Sequence, residues 1–70
     1  MALTWNRHQT KATAHYNNGQ LAASVHPSSV YFSDFEMVVY NRDGKQRDRR
    51  GAVDLEDGIG MATCILAGSE

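Results

Sequence analysis

The fold is decided by residues 11–26, KATAHYNNGQLAASVH, which predict two strands joined by a tight turn. Asn18-Gly19 favours the positive φ angles of a type I′ turn. Pairing outward from a two-residue loop brings apolar residues together on one face, and a one-residue slip would destroy that agreement. The expected pairs are Tyr16 with Leu21, Ala14 with Ala23 and Ala12 with Val25. The pattern predicts an antiparallel sheet with one buried and one solvated face.

Further strands flank this hairpin. Leu3 and Trp5 extend its first strand toward the N-terminus, through a bend or bulge in residues 6–10 that shifts the apolar side to even positions. The run from Val30 to Tyr40 is dense in β-favouring residues and predicts the central strand. Asp43-Gly44 predicts a second type I′ turn, after which residues 45–50 return as a charged edge strand.

The last part of the chain predicts a helix. Asp54 is the expected N-cap. Apolar residues at helical spacing form the expected core face, namely Leu55, Ile59, Ala62 and Leu66. Gly68 is the expected stop, while Gly58 and Gly60 are expected to let the helix approach the sheet closely. The predicted fold class is α+β: one domain, residues 1–70, with an antiparallel sheet of three to four strands (β-β-β-β-α) and a C-terminal helix packed on one face.

Composition narrows the functional classes. The net charge of −1 gives no bulk attraction to nucleic acid or anionic lipid. A lone cysteine, Cys64, and the lack of a zinc-module spacing predict neither a disulfide nor a structural metal. No apolar stretch is typical of a secretion signal or a membrane span, so a cytoplasmic location without a membrane partner is expected.

The sequence offers few candidate catalytic or metal-binding sites. His15 and His26 are expected on one sheet face, but about 13 Å apart along the strands, too far to share a metal. Ser28 and Ser29 share a turn with His26 without the geometry of an activated nucleophile. Asp34 and Glu36 could form a carboxylate pair, for which a one-layer sheet rarely provides the cleft. We expect no enzyme activity and no cofactor.

Charge is segregated along the chain. Five of the seven basic residues fall within nine positions, and they are the candidate partner-binding residues: Arg42, Lys45, Arg47, Arg49 and Arg50. Tyr31 or Tyr40 is the candidate aromatic anchor. Arg47 and Arg49 are expected on one side of the edge strand, with Arg50 and Asp48 on the other. An acidic surface is the alternative site, made of Asp34, Glu36, Asp54, Glu56 and Asp57.

The chain as a whole resembles, in layout, small phage-encoded sheet-plus-helix inhibitor proteins, including anti-CRISPR proteins. The layout consists of Trp5, the Asn-Gly hairpin, an aromatic strand, the Asp-Gly turn and residues 54–57, DLED, opening a short helix. The resemblance implies an inhibitor that occludes a site on a larger protein or ribonucleoprotein complex, and the expected partner is a host defence complex that processes nucleic acid. The alternative is a DNA- or RNA-binding module that uses the arginine-rich edge strand. The sequence leaves a homodimer open.

Overall fold

The computed structural model describes residues 4–29 and 33–68. Within these, five strands precede one helix: β1 (Thr4–His8), β2 (Lys11–His15), β3 (Leu21–Pro27), β4 (Phe35–Tyr40), β5 (Gln46–Ala52) and α1 (Leu55–Gly68). Neighbouring strands are antiparallel, and their order in the sheet is their order in the chain. The α+β class with a C-terminal helix on one face is confirmed. The predicted number of strands, three to four, is wrong, because the sheet formed by the described residues has five.

The uncounted strand is β1. The expected bend between Trp5 and Ala12 is a two-residue hairpin loop, which pairs His8 with Lys11 and Trp5 with Ala14. Gln9 in that loop has a φ of 48°. A left-handed conformation costs an ordinary L-residue roughly 1–2 kcal/mol, so glutamine is not a signal for a turn. The sequence therefore indicated only the change of parity and not the reversal of the chain.

The Asn18-Gly19 turn is a three-residue loop, and the type I′ prediction is wrong. The Gly19 N–H donates to the Tyr16 carbonyl at 2.9 Å, and the Tyr16 N–H donates to the Gln20 carbonyl at 2.9 Å. Gly19 has a φ of 87°, whereas Asn18 is not in the positive-φ region. A type I′ turn needs positive φ at both central residues. The loop is instead a β-turn followed by a left-handed glycine, which adds one residue to the second strand.

A second irregularity offsets this extra residue. His15 faces Leu21, whereas Ala14 faces Ala23, so Ala22 is an additional residue in β3. The predicted pairs of Ala14 with Ala23 and of Ala12 with Val25 are therefore confirmed. The predicted pair of Tyr16 with Leu21 is wrong, because the loop hydrogen bonds place Tyr16 opposite Gln20.

The β4–β5 hairpin repeats this construction. The Gly44 N–H donates to the Asn41 carbonyl at 3.0 Å, and the Asn41 N–H donates to the Lys45 carbonyl at 2.8 Å. Gly44 has a φ of 90°, so this loop also has three residues and the second type I′ prediction is also wrong. The register then shifts between Val39 and Tyr40, which makes Arg47 the additional residue of β5. The two hairpins share one loop geometry and one bulge position.

The predicted central strand lies second from an edge. The sheet order puts β3 in the middle and β4 between β3 and the edge strand β5. The strand begins at Phe35, and the first part of the predicted run, residues 30–32, lies outside the described residues. Met37 and Val39 are buried in the core under the helix, while Glu36 points to the other face.

The helix covers the apolar side of the sheet. Ile59, Ala62 and Leu66 are buried and Leu55 is half-buried, which confirms the predicted core face. Trp5 is half-buried against the same cluster. The N-cap prediction is confirmed by the Asp57 N–H, which donates to Asp54 Oδ1 at 2.7 Å. The two helix glycines differ, since a Cβ at Gly58 would lie 2.6 Å from Val25 Cγ1, whereas one at Gly60 would meet nothing within 4 Å. Close approach therefore explains Gly58 and not Gly60. The helix continues through Gly68.

No helix in the described part of the chain is long and apolar enough to cross a membrane.

Candidate partner-binding surface

The two three-residue loops lie side by side. β3 pairs with β4, so the β2–β3 and β4–β5 hairpins are neighbours and their loops lie at the same end of the sheet. The Tyr16 hydroxyl donates to the Tyr40 carbonyl at 2.7 Å, and the Arg42 guanidinium lies 5.0 Å above the centre of the Tyr16 ring. The Gln20 side chain lies beside Gly44, where an added Cβ would be 3.4 Å from Gln20 Nε2. We call residues 17–20 and 42–45 together the two-loop end.

Each loop is also closed by its own side chain. The Gln20 N–H donates to Asn18 Oδ1 at 2.8 Å, and the Lys45 N–H donates to Asp43 Oδ1 at 2.9 Å. Asn and Asp favour such turns because their short side chains accept a hydrogen bond from the backbone two residues on. The loops are thus fixed internally by these bonds and mutually by Tyr16. Asp43, the acidic residue of the two-loop end, has an oxygen engaged in this way.

The candidate basic residues do not form one surface. Arg42 packs on Tyr16, and Lys45 is exposed beside it. Arg47 is exposed at the β5 bulge. Neither Lys45 nor Arg47 makes an ion pair or side-chain hydrogen bond to any residue in ranges 4–29 and 33–68. These side chains are available to a partner.

The other two arginines lie on opposite faces of β5. Arg49 is opposite Val38 and binds Glu36 through its Nε, on the face away from the helix. Arg50 is opposite Met37, on the helix side, and its Nε lies 3.0 Å from Asp48 Oδ2. Both guanidinium groups therefore already bind a carboxylate within the fold.

Of the two candidate aromatic anchors, Tyr40 is half-buried, and its carbonyl accepts the Tyr16 hydroxyl. Tyr31 lies outside the described residues.

Glu36 is a buried carboxylate, only 3% exposed, on the sheet face away from the helix. Its Oε1 lies 2.9 Å from His26 Nε2, directly opposite in the β3–β4 register, and its Oε2 accepts from Arg49 Nε. The hydrogen bond from Arg49 holds the pKa of Glu36 below its ordinary value, assisted by His26 and opposed by burial. This carboxylate joins three strands, and it is not available to the alternative acidic surface.

Ser24, His26 and Glu36 occur in the order of a hydrolytic triad. Ser24 Oγ lies 3.4 Å from His26 Nδ1. However, Ser24 lies in the middle strand, between Thr13 of β2 and Val38 of β4. The backbone N–H groups around it are used in two ladders, so they cannot act as the oxyanion-hole donors that acyl transfer requires. This arrangement supports a structural role for the three side chains.

The remaining acidic candidates lie at the opposite end of the sheet, where β5 leads into the helix. Asp54 caps α1, and Asp57 Oδ2 accepts the Val53 N–H at 3.2 Å. Glu56 pairs with Arg7 of β1, which lowers the pKa of Glu56. Asp34 is exposed just before β4. The loop cations Arg42 and Lys45 therefore lie at the end of the sheet opposite the acidic helix start. Arg49 binds Glu36, and Arg50 lines the same groove as Glu56 and Asp57.

The described residues contain no cluster of three or more side chains that could hold a metal ion. Cys64 is exposed on α1. It lines a shallow groove between the helix and β5, together with Arg50, Gly60, Met61 and Ile65.

Sequence reasoning missed both the His26–Glu36–Arg49 contact and the junction of the two loops. Both depend on the β3–β4 register, and the long β3–β4 connection gives no sequence signal for it.

Comparison with protein family models, with curated proteins and with solved structures finds no match to this chain.

Proposed function

We propose that this protein is a non-enzymatic binding protein that occludes a site on a larger protein or ribonucleoprotein complex. The observation that carries the proposal is the interlocked two-loop end. Tyr16 connects the two hairpins through its hydroxyl and holds Arg42 on its ring. A surface fixed before binding loses little conformational freedom on association, and this favours affinity.

The distribution of charge determines which end of the molecule is expected to face the partner. Lys45 is exposed at the two-loop end, and Arg47 follows on the adjoining bulge. The acidic residues around the start of the helix lie at the far end. A partner with a negatively charged site is therefore expected to contact the two-loop end first, because complementary charges orient two proteins as they approach each other. The resemblance in layout to phage inhibitors favours a nucleic-acid-processing defence complex as this partner.

The test is recovery of a partner with the tagged protein from its host. We expect a macromolecule to copurify with the wild type and to be lost from the double variant Lys45→Glu/Arg47→Glu. Lys11→Glu is the matched control, because Lys11 is exposed beside the β1–β2 loop at the other end of the sheet. Full recovery by the double variant would contradict the proposal.

A further inference from the structure

The two-loop end has a distinct chemical composition. Its side chains are amides and cations, and its carboxylate, Asp43, accepts the Lys45 N–H. Among the described residues, Val53 is the large apolar side chain that is exposed, and it lies at the opposite end, just before α1. Protein interfaces concentrate their energy in tryptophan, tyrosine and arginine side chains that become buried on binding. The two-loop end contains Arg42 but no aromatic residue.

The same side chains match the groups that contact phosphates. Arginine, lysine, asparagine and glutamine side chains donate hydrogen bonds to nucleic-acid phosphates, as do backbone N–H groups. The residues of this kind here are Asn17, Asn18, Gln20, Arg42 and Lys45, with Arg47 on the adjoining bulge. We infer that the two-loop end binds the phosphate backbone of a nucleic acid. This inference rests on the proposed function, which assigns binding to the two-loop end. It identifies nucleic-acid phosphate as the part of the partner that this end contacts.

The width of this end determines how it can bind. Two adjacent hairpins span four strands, or about 14 Å at about 4.8 Å per strand spacing. The major groove of B-form DNA is about 12 Å wide, so the paired loops lie across the backbone and do not enter the groove. Contacts to phosphate carry no sequence information. Binding is therefore tolerant of sequence.

The charge distribution supports an end-on approach. Lys45 and Arg47 meet the phosphates, while Asp54, Glu56 and Asp57 are held at the far end of the molecule by the start of the helix. A nucleic acid lying along the sheet would approach those carboxylates. End-on contact keeps them away, which is how a chain with a net charge of −1 can bind a polyanion.

The experiment measures fluorescence anisotropy of labelled random-sequence oligonucleotides, double- and single-stranded, across a salt series. With contacts from Arg42, Lys45 and Arg47, the slope of log K against log salt is expected near −2.7 for duplex and near −2.1 for single strands, at about −0.9 and −0.7 per contact. Lys45→Gln and Arg47→Gln should each reduce the duplex slope by about 0.9 and weaken binding about eightfold at about 0.1 M salt. Lys11→Gln should match the wild type.

Three results would overturn the inference: no oligonucleotide binding at low salt, equal weakening by Lys11→Gln, or binding of poly-glutamate as tight as that of the oligonucleotides. The last would identify an acidic protein surface as the ligand. Melting curves establish that each variant is folded. If these results reject nucleic-acid binding, the proposed function can still be tested, because copurification of a protein partner does not depend on oligonucleotide binding.

Discussion

The backbone of Gly58 lies against the side chain of Val25, so that a Cβ at position 58 would be 2.6 Å from Val25 Cγ1. This contact sets how closely α1 approaches the middle strand of the sheet. It also separates two glycines of one helix that look equivalent in the sequence.

Alanine at the two positions should therefore have opposite effects. Gly58→Ala removes a helix-interior glycine but overpacks Val25, at a cost of typically about 1–3 kcal/mol. Gly60→Ala meets nothing within 4 Å and should stabilise the fold by about 0.5–1 kcal/mol through helix propensity. Denaturant midpoints measure both, and a stabilised Gly58→Ala would show that the helix can move away from β3 at little cost.

Glu36 should make stability depend on acid pH. Because its pKa in the folded state is lowered from 4.5, its contribution is present above that value and is lost as the pH falls through the folded pKa. Glu36→Gln should cost about 1–3 kcal/mol near neutral pH, because it weakens a charged hydrogen bond to Arg49. Its stability should also fall less than that of the wild type below pH 4.5.

Urea midpoints from neutral to acid pH measure this difference. Glu56→Gln is the control, because Glu56 is also paired with an arginine but is exposed, and salt and water screen that pair. A Glu36→Gln profile parallel to that of the wild type would remove Glu36 as the source of the acid sensitivity.

Charge reversal should distinguish Arg49 from Arg47. The sequence predicts both side chains on one side of an exposed edge strand. In the structure Arg49 binds the buried Glu36, so Arg49→Glu would face that carboxylate with a second one and is expected to destabilise the fold. The cost is expected to be smaller than for a fully buried ion pair, because the Arg49 side chain is 42% exposed and water screens the repulsion. Arg47→Glu, at the exposed bulge, should keep a melting temperature near that of the wild type; equal melting temperatures for the two variants would contradict the pairing.

Gly19→Val should destabilise the domain by more than about 1 kcal/mol, because a β-branched residue resists the left-handed conformation. Gly19 has a φ of 87°, and an added Cβ would meet nothing within 4 Å, so the cost arises from the backbone alone. Asn18→Ala is the comparison, since it deletes the acceptor of the Gln20 N–H but leaves backbone conformation allowed. An unchanged denaturant midpoint for Gly19→Val would show that the loop adopts another geometry.

The sequence predicted the first hairpin's core register correctly, although its loop geometry was wrong. The extra loop residue and the extra residue at Ala22 shift the pairing in opposite senses, so Ala14 still meets Ala23. The alternation of apolar residues determines which side of each strand faces the core. Two irregularities that compensate each other leave this alternation unchanged. Alternation alone therefore does not distinguish a two-residue loop from a three-residue loop followed by a bulge.

The helix was predictable for a different reason. Asp54 and the spacing of Ile59, Ala62 and Leu66 are local signals, and each was confirmed. The candidate site was less predictable, because it depends on which strands are neighbours. The basic run was visible in the sequence, but the pairing of Arg49 with the buried Glu36 and the packing of Arg42 on Tyr16 follow from the sheet order.

The sheet order has a consequence for synthesis. Each strand pairs with the strand that precedes it in the chain, so every ladder can form from segments already made, and such local pairing favours rapid folding. The contact of Arg7 with Glu56, 49 positions apart, closes the structure only once the helix has begun. Until α1 leaves the ribosome, the apolar face around Val25 and Met37 has no cover. Without α1 the sheet would therefore expose this apolar face, and covering it is how the helix protects the chain from self-association.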